Sequence, residues 1–292
     1  MPGTRCSRSA TGALTAEPHM SDHIHSSFIT HHSSIPGIFV TGTDTGVGKT
    51  LVTAALACHL KQGGTKVGVM KPVETGSVAG SSTFSDGERL KAGAGSDDPL
   101  DLICPYRFPA PLAPLAAARH AGVTIDPERI RGFFKTLATR CEILLVEGVG
   151  GVMVPLAEQF NVLDLINLLG LPVLVVGRAT LGGVNHALLT VKALRQRDIA
   201  IVGFVLNQLS APETLSHAQQ SQATVSLVRE LSEVPVVGPL PYRKGLQEDW
   251  EGGIAWLAQD QTIRELASLI RPDVPGRPGL PRPRRPPPRL RK

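Results

Sequence analysis

Apolar residues fall in short, β-branched runs that alternate with longer stretches carrying apolar positions at helical spacing. The runs predict strands at Ile38–Thr41, Lys66–Val73, Glu142–Glu147, Pro172–Val176, Ile199–Leu206 and Val234–Val237. The stretches between them predict helices over Lys49–Gln62, near Asp86–Ala92 and Ala113–His120, and from Asp126-Pro127-Glu128 to about Arg140. Further helices are predicted over Asn161–Leu169, Gly183–Arg197, Thr214–Leu231 and Gly253–Ile270. Strands this continuously apolar are buried on both faces, so the alternation predicts one α/β domain, a mostly parallel sheet with helices on both faces. Ligands of such sheets sit at the carboxyl ends of the strands. Residues 74–122 loosen into connections rich in Gly, Ser and Pro, which are expected to form substrate-facing loops.

The first strand and first helix are joined by residues 41–50, Thr-Gly-Thr-Asp-Thr-Gly-Val-Gly-Lys-Thr. A strand, a glycine-bearing turn and a helix start make a phosphate cradle of the P-loop NTPase kind. Backbone N–H groups around Gly46, Val47, Gly48 and Leu51 point at an anion, Lys49 adds a full positive charge, and the Thr50 hydroxyl can ligate Mg²⁺. Thr45 lies close to where a γ-phosphate would sit. The strict pattern has glycine at position 43, where Thr43 stands, with the glycine one step earlier at Gly42, so this is a deviant form of the motif. Other residues invite chemistry but also bland readings. Glu147 ends a buried strand, where a carboxylate is costly unless a cation or hydrogen bonds meet it. Ser85-Asp86-Gly87 could supply a metal ligand or be an ordinary helix cap. Lys71 closes an apolar strand before Pro72, where lysines also snorkel to water.

The loop resembles the signature of the dethiobiotin synthetases, Thr-Gly-Thr-Asp-Thr-x-Val-Gly-Lys-Thr. The resemblance continues in order at Lys71-Pro72-Val73-Glu74-Thr75-Gly76, Ser85-Asp86, Val146-Glu147-Gly148-Val149-Gly150-Gly151, Leu181-Gly182-Gly183-Val184-Asn185-His186 and Asn207. It implies that Lys49 and Lys71 are catalytic, that Thr50, Asp86 and Glu147 share Mg²⁺, and that Thr45 and Thr75 contact substrate. It further implies that Gly148, Val149 and Gly150 lie along the nucleotide. Leu181, Gly182, Gly183 and Asn185 would bind the substrate carboxylate of the neighbouring subunit, which makes the protein a homodimer. Asn207 would read the adenine edge, with Gln208, Pro241, Tyr242, Arg243 and Glu248 on the nucleotide side; Tyr242 could instead be packing. The implied reaction joins 7,8-diaminopelargonate, CO₂ or bicarbonate and ATP into dethiobiotin, ADP and phosphate through a carbamate and a carbamic-phosphoric anhydride.

Composition adjusts this picture at the ends. Residues 271–292 hold seven Arg and one Lys against one Asp, so they carry more positive charge than the net +5 of the whole chain. Their prolines forbid helix and sheet, and the tail is expected to be disordered and solvated rather than to bind nucleic acid. Residues 1–35 lack apolar periodicity and are likewise expected to be a disordered extension, leaving 36–270 as the synthetase domain. No apolar run approaches the ~18–20 residues of a membrane span. Four scattered cysteines, with no Cys-x-x-Cys pair, fit a reducing cytoplasm. Two rival classes fit less well. A partitioning-type or nitrogenase-iron-protein ATPase carries an extra lysine early in its loop, and Gly42–Gly46 contains none. A cobyrinate-type amidase needs an appended amidotransferase domain.

Overall fold

A computed structural model describes residues 37–77, 84–211, 214–246 and 248–270, all within one compact unit, His31–Lys292. The two expected terminal extensions, 1–35 and 271–292, lie outside the described residues. The first half of the chain runs β1 (Gly37–Gly42), α1 (Lys49–Gln62), β2 (Val67–Met70), β3 (Val73–Thr75), α2 (Asp86–Ala94), α3 (Leu100–Ile103), β4 (Tyr106–Phe108), α4 (Pro114–His120), α5 (Pro127–Ala138) and β5 (Ile143–Gly151). The second half runs β6 (Pro155–Ala157), β7 (Phe160–Asn161), α6 (Val162–Leu169), β8 (Val173–Arg178), α7 (Gly183–Arg195), β9 (Ile201–Asn207), α8 (Leu215–Ser232), β10 (Val236–Leu240), α9 (Trp250–Leu257) and α10 (Gln261–Ile270).

Six strands form one wholly parallel sheet in the order β10-β9-β8-β1-β5-β2. β1 is central, and the chain builds outward from it on both sides. Side chains along β1 alternate between two cores, as the pleat requires. Phe39 joins Phe134, Ile166, Val191 and Val228 beneath α5–α8, whereas Ile38 and Val40 join Leu56, Leu90, Ile254 and Leu266 beneath α1, α2, α9 and α10. Among the described residues no helix is long and apolar enough to cross a membrane.

Three departures from the expected elements have physical causes. The strand expected over Lys66–Val73 breaks at Lys71-Pro72, since proline has no N–H to donate to a ladder. There the Lys71 N–H bonds to the Ile103 carbonyl at 2.8 Å, and β3 pairs with β4 in a separate small parallel sheet. The strand expected to stop at Glu147 continues to Gly151, because its glycines let the backbone pass close to β1. A Cβ at Gly148 would sit 2.8 Å from the Phe39 ring. The single helix expected over Gly253–Ile270 is two, α9 and α10. Asp249 caps the first through the Gly252 N–H at 3.0 Å, and Asp260 accepts the Thr262 N–H at 2.8 Å where the second begins.

Candidate functional site

The carboxyl ends of β1, β5, β2 and β9 meet at a cleft of roughly 650 Å³, the size of a small-molecule site. Its floor is the turn between β1 and α1. Gly46 and Gly48 have φ of 72° and 93°, left-handed values that favour glycine, and Gly48 caps α1 without any side-chain bond. The first N–H groups of α1 therefore have no side-chain cap, and the residues that carry them, Lys49, Thr50 and Leu51, line the cleft. Val47 is fully buried and staples the turn to the core. Asn207, at the end of β9, donates to the Val47 carbonyl at 3.2 Å, and a Cβ at Gly48 would lie 2.1 Å from its Nδ2. The Asn207 Oδ1 is buried and has no hydrogen-bond partner. Lys49 bends back over the turn to the Asp44 carbonyl at 3.1 Å. Burial, then the neighbouring Lys71 charge, depress its pKa to about 8, against the pull of Glu147, Asp86 and Asp44.

A second group of charges closes one wall. Glu147 is fully buried, and its Oε1 accepts the Thr50 hydroxyl at 2.8 Å and the Lys71 ammonium at 2.5 Å. Lys71 also pairs with Asp86 at 2.8 Å and donates to the Gly148 carbonyl at 3.4 Å. Burial alone would lower the Lys71 pKa, yet the two carboxylates hold it above the ordinary lysine value. Burial pushes the Glu147 carboxyl up against the pull of Lys71. Burial also works against Asp86, but Lys71 and Thr50 keep it below the usual carboxylate range. Glu147 Oε2 is buried with no hydrogen-bond partner. Two carboxylates, one of them with that unpartnered buried oxygen, and a hydroxyl form an oxygen-only donor set suited to a hard divalent cation whose other ligands are phosphate and water. Among the described residues no group of three His, Cys, Asp or Glu side chains could hold a metal by itself.

Most residues singled out from the sequence line this one cleft: Thr45, Gly46 and Leu51 beside the turn, Thr75 after Lys71, and Val149 and Gly150 after Glu147. Asn207 and Gln208 continue the wall into Pro241, Tyr242, Arg243 and Glu248. Val47 and Gly148 do not line it; the first is core, and the second is glycine because Phe39 lies behind it. Leu181, Gly182, Gly183 and Asn185 form the start of α7 and stand outside the cleft. Leu181 is 83 % exposed, and Gly182 caps α7 with φ of 83° and no side-chain bond. Several residues that line the cleft were given no role from the sequence, among them Glu74, Arg89 and Trp250 and the stretch 244–246. Arg89 stacks over the Trp250 ring at 4.6 Å, a pairing between α2 and α9 that no local pattern announces. Glu74 occupies the variable position of the Lys71–Gly76 motif.

The parallel sheet and the glycine turn at the head of α1 define a P-loop α/β nucleotide-binding domain. A family profile described as an AAA domain matches residues 36–249. The fold matches MinD in the MinC–MinD cell division complex of Aquifex aeolicus with a TM-score of 0.51 at 15 % identity, over 83 % of this chain and 98 % of that one. In sequence, the chain is 43 % identical over 242 residues to the ATP-dependent dethiobiotin synthetase of Thermodesulfovibrio yellowstonii, covering 80 % of this chain and 99 % of that protein. It is 38 % identical over 218 residues to the corresponding synthetase of Methanocaldococcus jannaschii, covering 73 % and 98 %. The chain belongs to the ATP-dependent dethiobiotin synthetases, ligases that form a carbon–nitrogen bond in biotin biosynthesis.

Proposed function

We propose that the cleft binds ATP with its triphosphate on the 42–51 turn, and that 7,8-diaminopelargonate and CO₂ react beside Lys71 and Thr75. The observation that carries this reading is the buried Lys71 ammonium, held 2.5 Å from Glu147 and 2.8 Å from Asp86 on the wall next to the phosphate turn. Thr50, Asp86 and Glu147 would hold Mg²⁺, whose positive charge neutralises the triphosphate when it is bound. The orphaned Glu147 Oε2 supports that choice.

The chain's own residues follow from these positions. The free N–H groups of α1 and the Lys49 ammonium cradle the β- and γ-phosphates. A carbamate oxygen, formed when one substrate amine adds to CO₂, attacks the γ-phosphorus and ADP leaves. The second amine then attacks the carbamoyl carbon of the resulting anhydride, phosphate departs and the ureido ring closes. Negative charge grows on the phosphoryl oxygens in the first step and on the carbonyl oxygen in the second, and two ammonium groups nearby stabilise both. The hydroxyls of Thr45 and Thr75 orient the substrate. Asn207 Oδ1, buried and unsatisfied, is suited to accept from the adenine amino group.

The start of α7 completes a site in a second copy of this chain: its uncapped N–H groups suit a carboxylate, and exposed Leu181 suits the aliphatic stem. The homodimer, a cytoplasmic location and dispensable extensions at 1–35 and 271–292 are parts of the same proposal. Phosphate release measured with each substrate omitted in turn tests it. Release that requires both diaminopelargonate and bicarbonate supports the reading, and release independent of both refutes it.

A further inference from the structure

Glu74 is buried, 5 % exposed, and its carboxylate is ion-paired with no Lys or Arg among the described residues. Its Oε1 accepts the Asp86 N–H at 2.7 Å and its Oε2 accepts the Gly87 N–H at 3.2 Å. The Cys104 thiol lies 3.7 Å from Oε2. Those two amides are the first of α2, which no carbonyl within the helix can satisfy. The third, at Glu88, is taken by the Ser85 hydroxyl at 3.2 Å in a capping box. A carboxylate set against a helix N-terminus gains from charge-assisted bonds and from the helix dipole together.

The consequence reaches the reacting groups. Ten residues of chain separate Thr75 from Asp86, too long a connection to fix their spacing by itself. Glu74 bridges the two: it sits on β3, whose register against β4 pairs Glu74 with Arg107, and its carboxylate accepts the N–H groups of Asp86 and Gly87 at the start of α2. The backbone of Asp86 is thereby tied to the Lys71–Thr75 segment. The geometry points to Glu74 as a positioning residue for the cation-binding carboxylate of Asp86, one that holds α2 against the segment bearing Lys71 and Thr75. This rests on the reading of Thr50, Asp86 and Glu147 as the metal ligands.

Glu74→Gln tests it. The amide keeps the size of the side chain but offers one acceptor atom in place of two and turns an N–H toward a backbone N–H, so at least one of the two bonds is lost. Mn²⁺ affinity of the enzyme–ADP complex, read by electron paramagnetic resonance, is expected to fall about 10-fold, in the range lost when a metal ligand's hydrogen-bond support is removed. ADP affinity in the presence of a chelator stays at the wild-type value, and raising Mg²⁺ restores kcat with the KM for diaminopelargonate unchanged. Ser85→Ala, which removes the other α2 cap but leaves Glu74 in place, keeps near wild-type Mn²⁺ affinity. Unchanged Mn²⁺ affinity in a Glu74→Gln protein with a lowered melting temperature would make Glu74 a structural cap and overturn the inference. Asp86→Asn separates the two levels. If it weakens Mn²⁺ binding while Glu74→Gln does not, only the positioning role fails; if it leaves Mn²⁺ binding intact, the metal set fails and this inference with it. Should Glu74→Gln not melt cooperatively, Gly87→Ala attacks the same contact from the other side. Its Cβ would lie 3.0 Å from the Cys104 Cβ and 3.6 Å from Glu74 Oε2, and the same loss of Mn²⁺ affinity is expected.

Discussion

Replacing Lys71 with glutamine removes one positive charge from a buried site where it balances two carboxylates. Two effects separate cleanly. The catalytic one, on the role proposed for Lys71, is the loss of an ammonium beside the transferring group, which by analogy with other charge-stabilising donors cuts kcat by about 10²-fold or more, on the order of 3 kcal/mol. The phosphate turn keeps Lys49 and the α1 amides, so ATP affinity should change much less. The structural effect is that Glu147, fully buried, loses its ion pair at 2.5 Å. Breaking one side of a buried pair costs about 3–5 kcal/mol, and uptake of a proton by Glu147 relieves part of it. For a domain of this size each kcal/mol moves the melting temperature by about 2–4 °C, so a drop of up to about 6–20 °C at neutral pH is expected. The pH dependence has a definite sign. Without Lys71 the Glu147 carboxyl lies further above its unfolded value, so the variant's deficit is largest at neutral and alkaline pH and closes as acid protonates the group. In the wild type the folded pKa of Lys71 is raised, so its contribution is complete below the ordinary lysine range and fades only above it. Calorimetric ATP binding, a steady-state assay of dethiobiotin formation and melting curves from pH 5 to 9 measure all three. Equal losses of ATP affinity and turnover would reassign Lys71 to resting-nucleotide binding, and normal turnover would refute its role.

Lys49→Ala is expected to abolish turnover and severely weaken nucleotide binding, because polyphosphate charge then lies uncompensated in the turn; unchanged ATP affinity in a folded variant would contradict this. The depressed Lys49 pKa, about 8, predicts that ATP binding near pH 8.5 takes up a proton, since an anion raises the pKa of a neighbouring ammonium. Calorimetry in buffers of different ionisation enthalpy reads that uptake, and its absence would refute a neutralised Lys49 at that pH. Trimming to residues 36–270 should leave activity and melting temperature nearly intact, and loss of either would give the extensions a role. Leu181→Asp should raise the KM for diaminopelargonate at least 10-fold while ATP affinity holds, since burying the new carboxylate beside a carboxylate ligand is unfavourable; an unchanged KM would remove α7 from the substrate site.

The parts of the site that were legible in the sequence are those carried by local chemistry. Gly46 and Gly48 needed left-handed backbone, Lys49 and Thr50 opened a helix, and the boundaries of α1 matched their apolar periodicity residue for residue. The sheet's parallel order followed from runs with no polar face. What stayed hidden depends on distant neighbours. Glu74 reads as one polar residue in a turn until α2 folds its first amides onto it, and Trp250 meets Arg89 only because α9 returns across α2. The glycines after Glu147 look like a strand stop, yet Gly148 extends the strand because Phe39 of β1 needs the space. Asp249 and Asp260 are ordinary capping residues whose signal was masked by a continuous apolar pattern from Gly253 to Ile270. The resemblance supplied the proposed roles of Lys71 and Asp86, which strand-end and helix-cap positions alone leave open.

The most direct test of the central claim follows oxygen atoms through the reaction. If a carbamate made from CO₂ attacks the γ-phosphorus and is later cleaved by the second amine, one oxygen from CO₂ leaves in the inorganic phosphate. Reaction with ¹⁸O-labelled bicarbonate and diaminopelargonate, quenched before the label exchanges with water, should release phosphate carrying one ¹⁸O for each dethiobiotin formed. Phosphate free of label, with its new oxygen drawn from solvent, would show that ATP is hydrolysed apart from ring closure and would contradict the account.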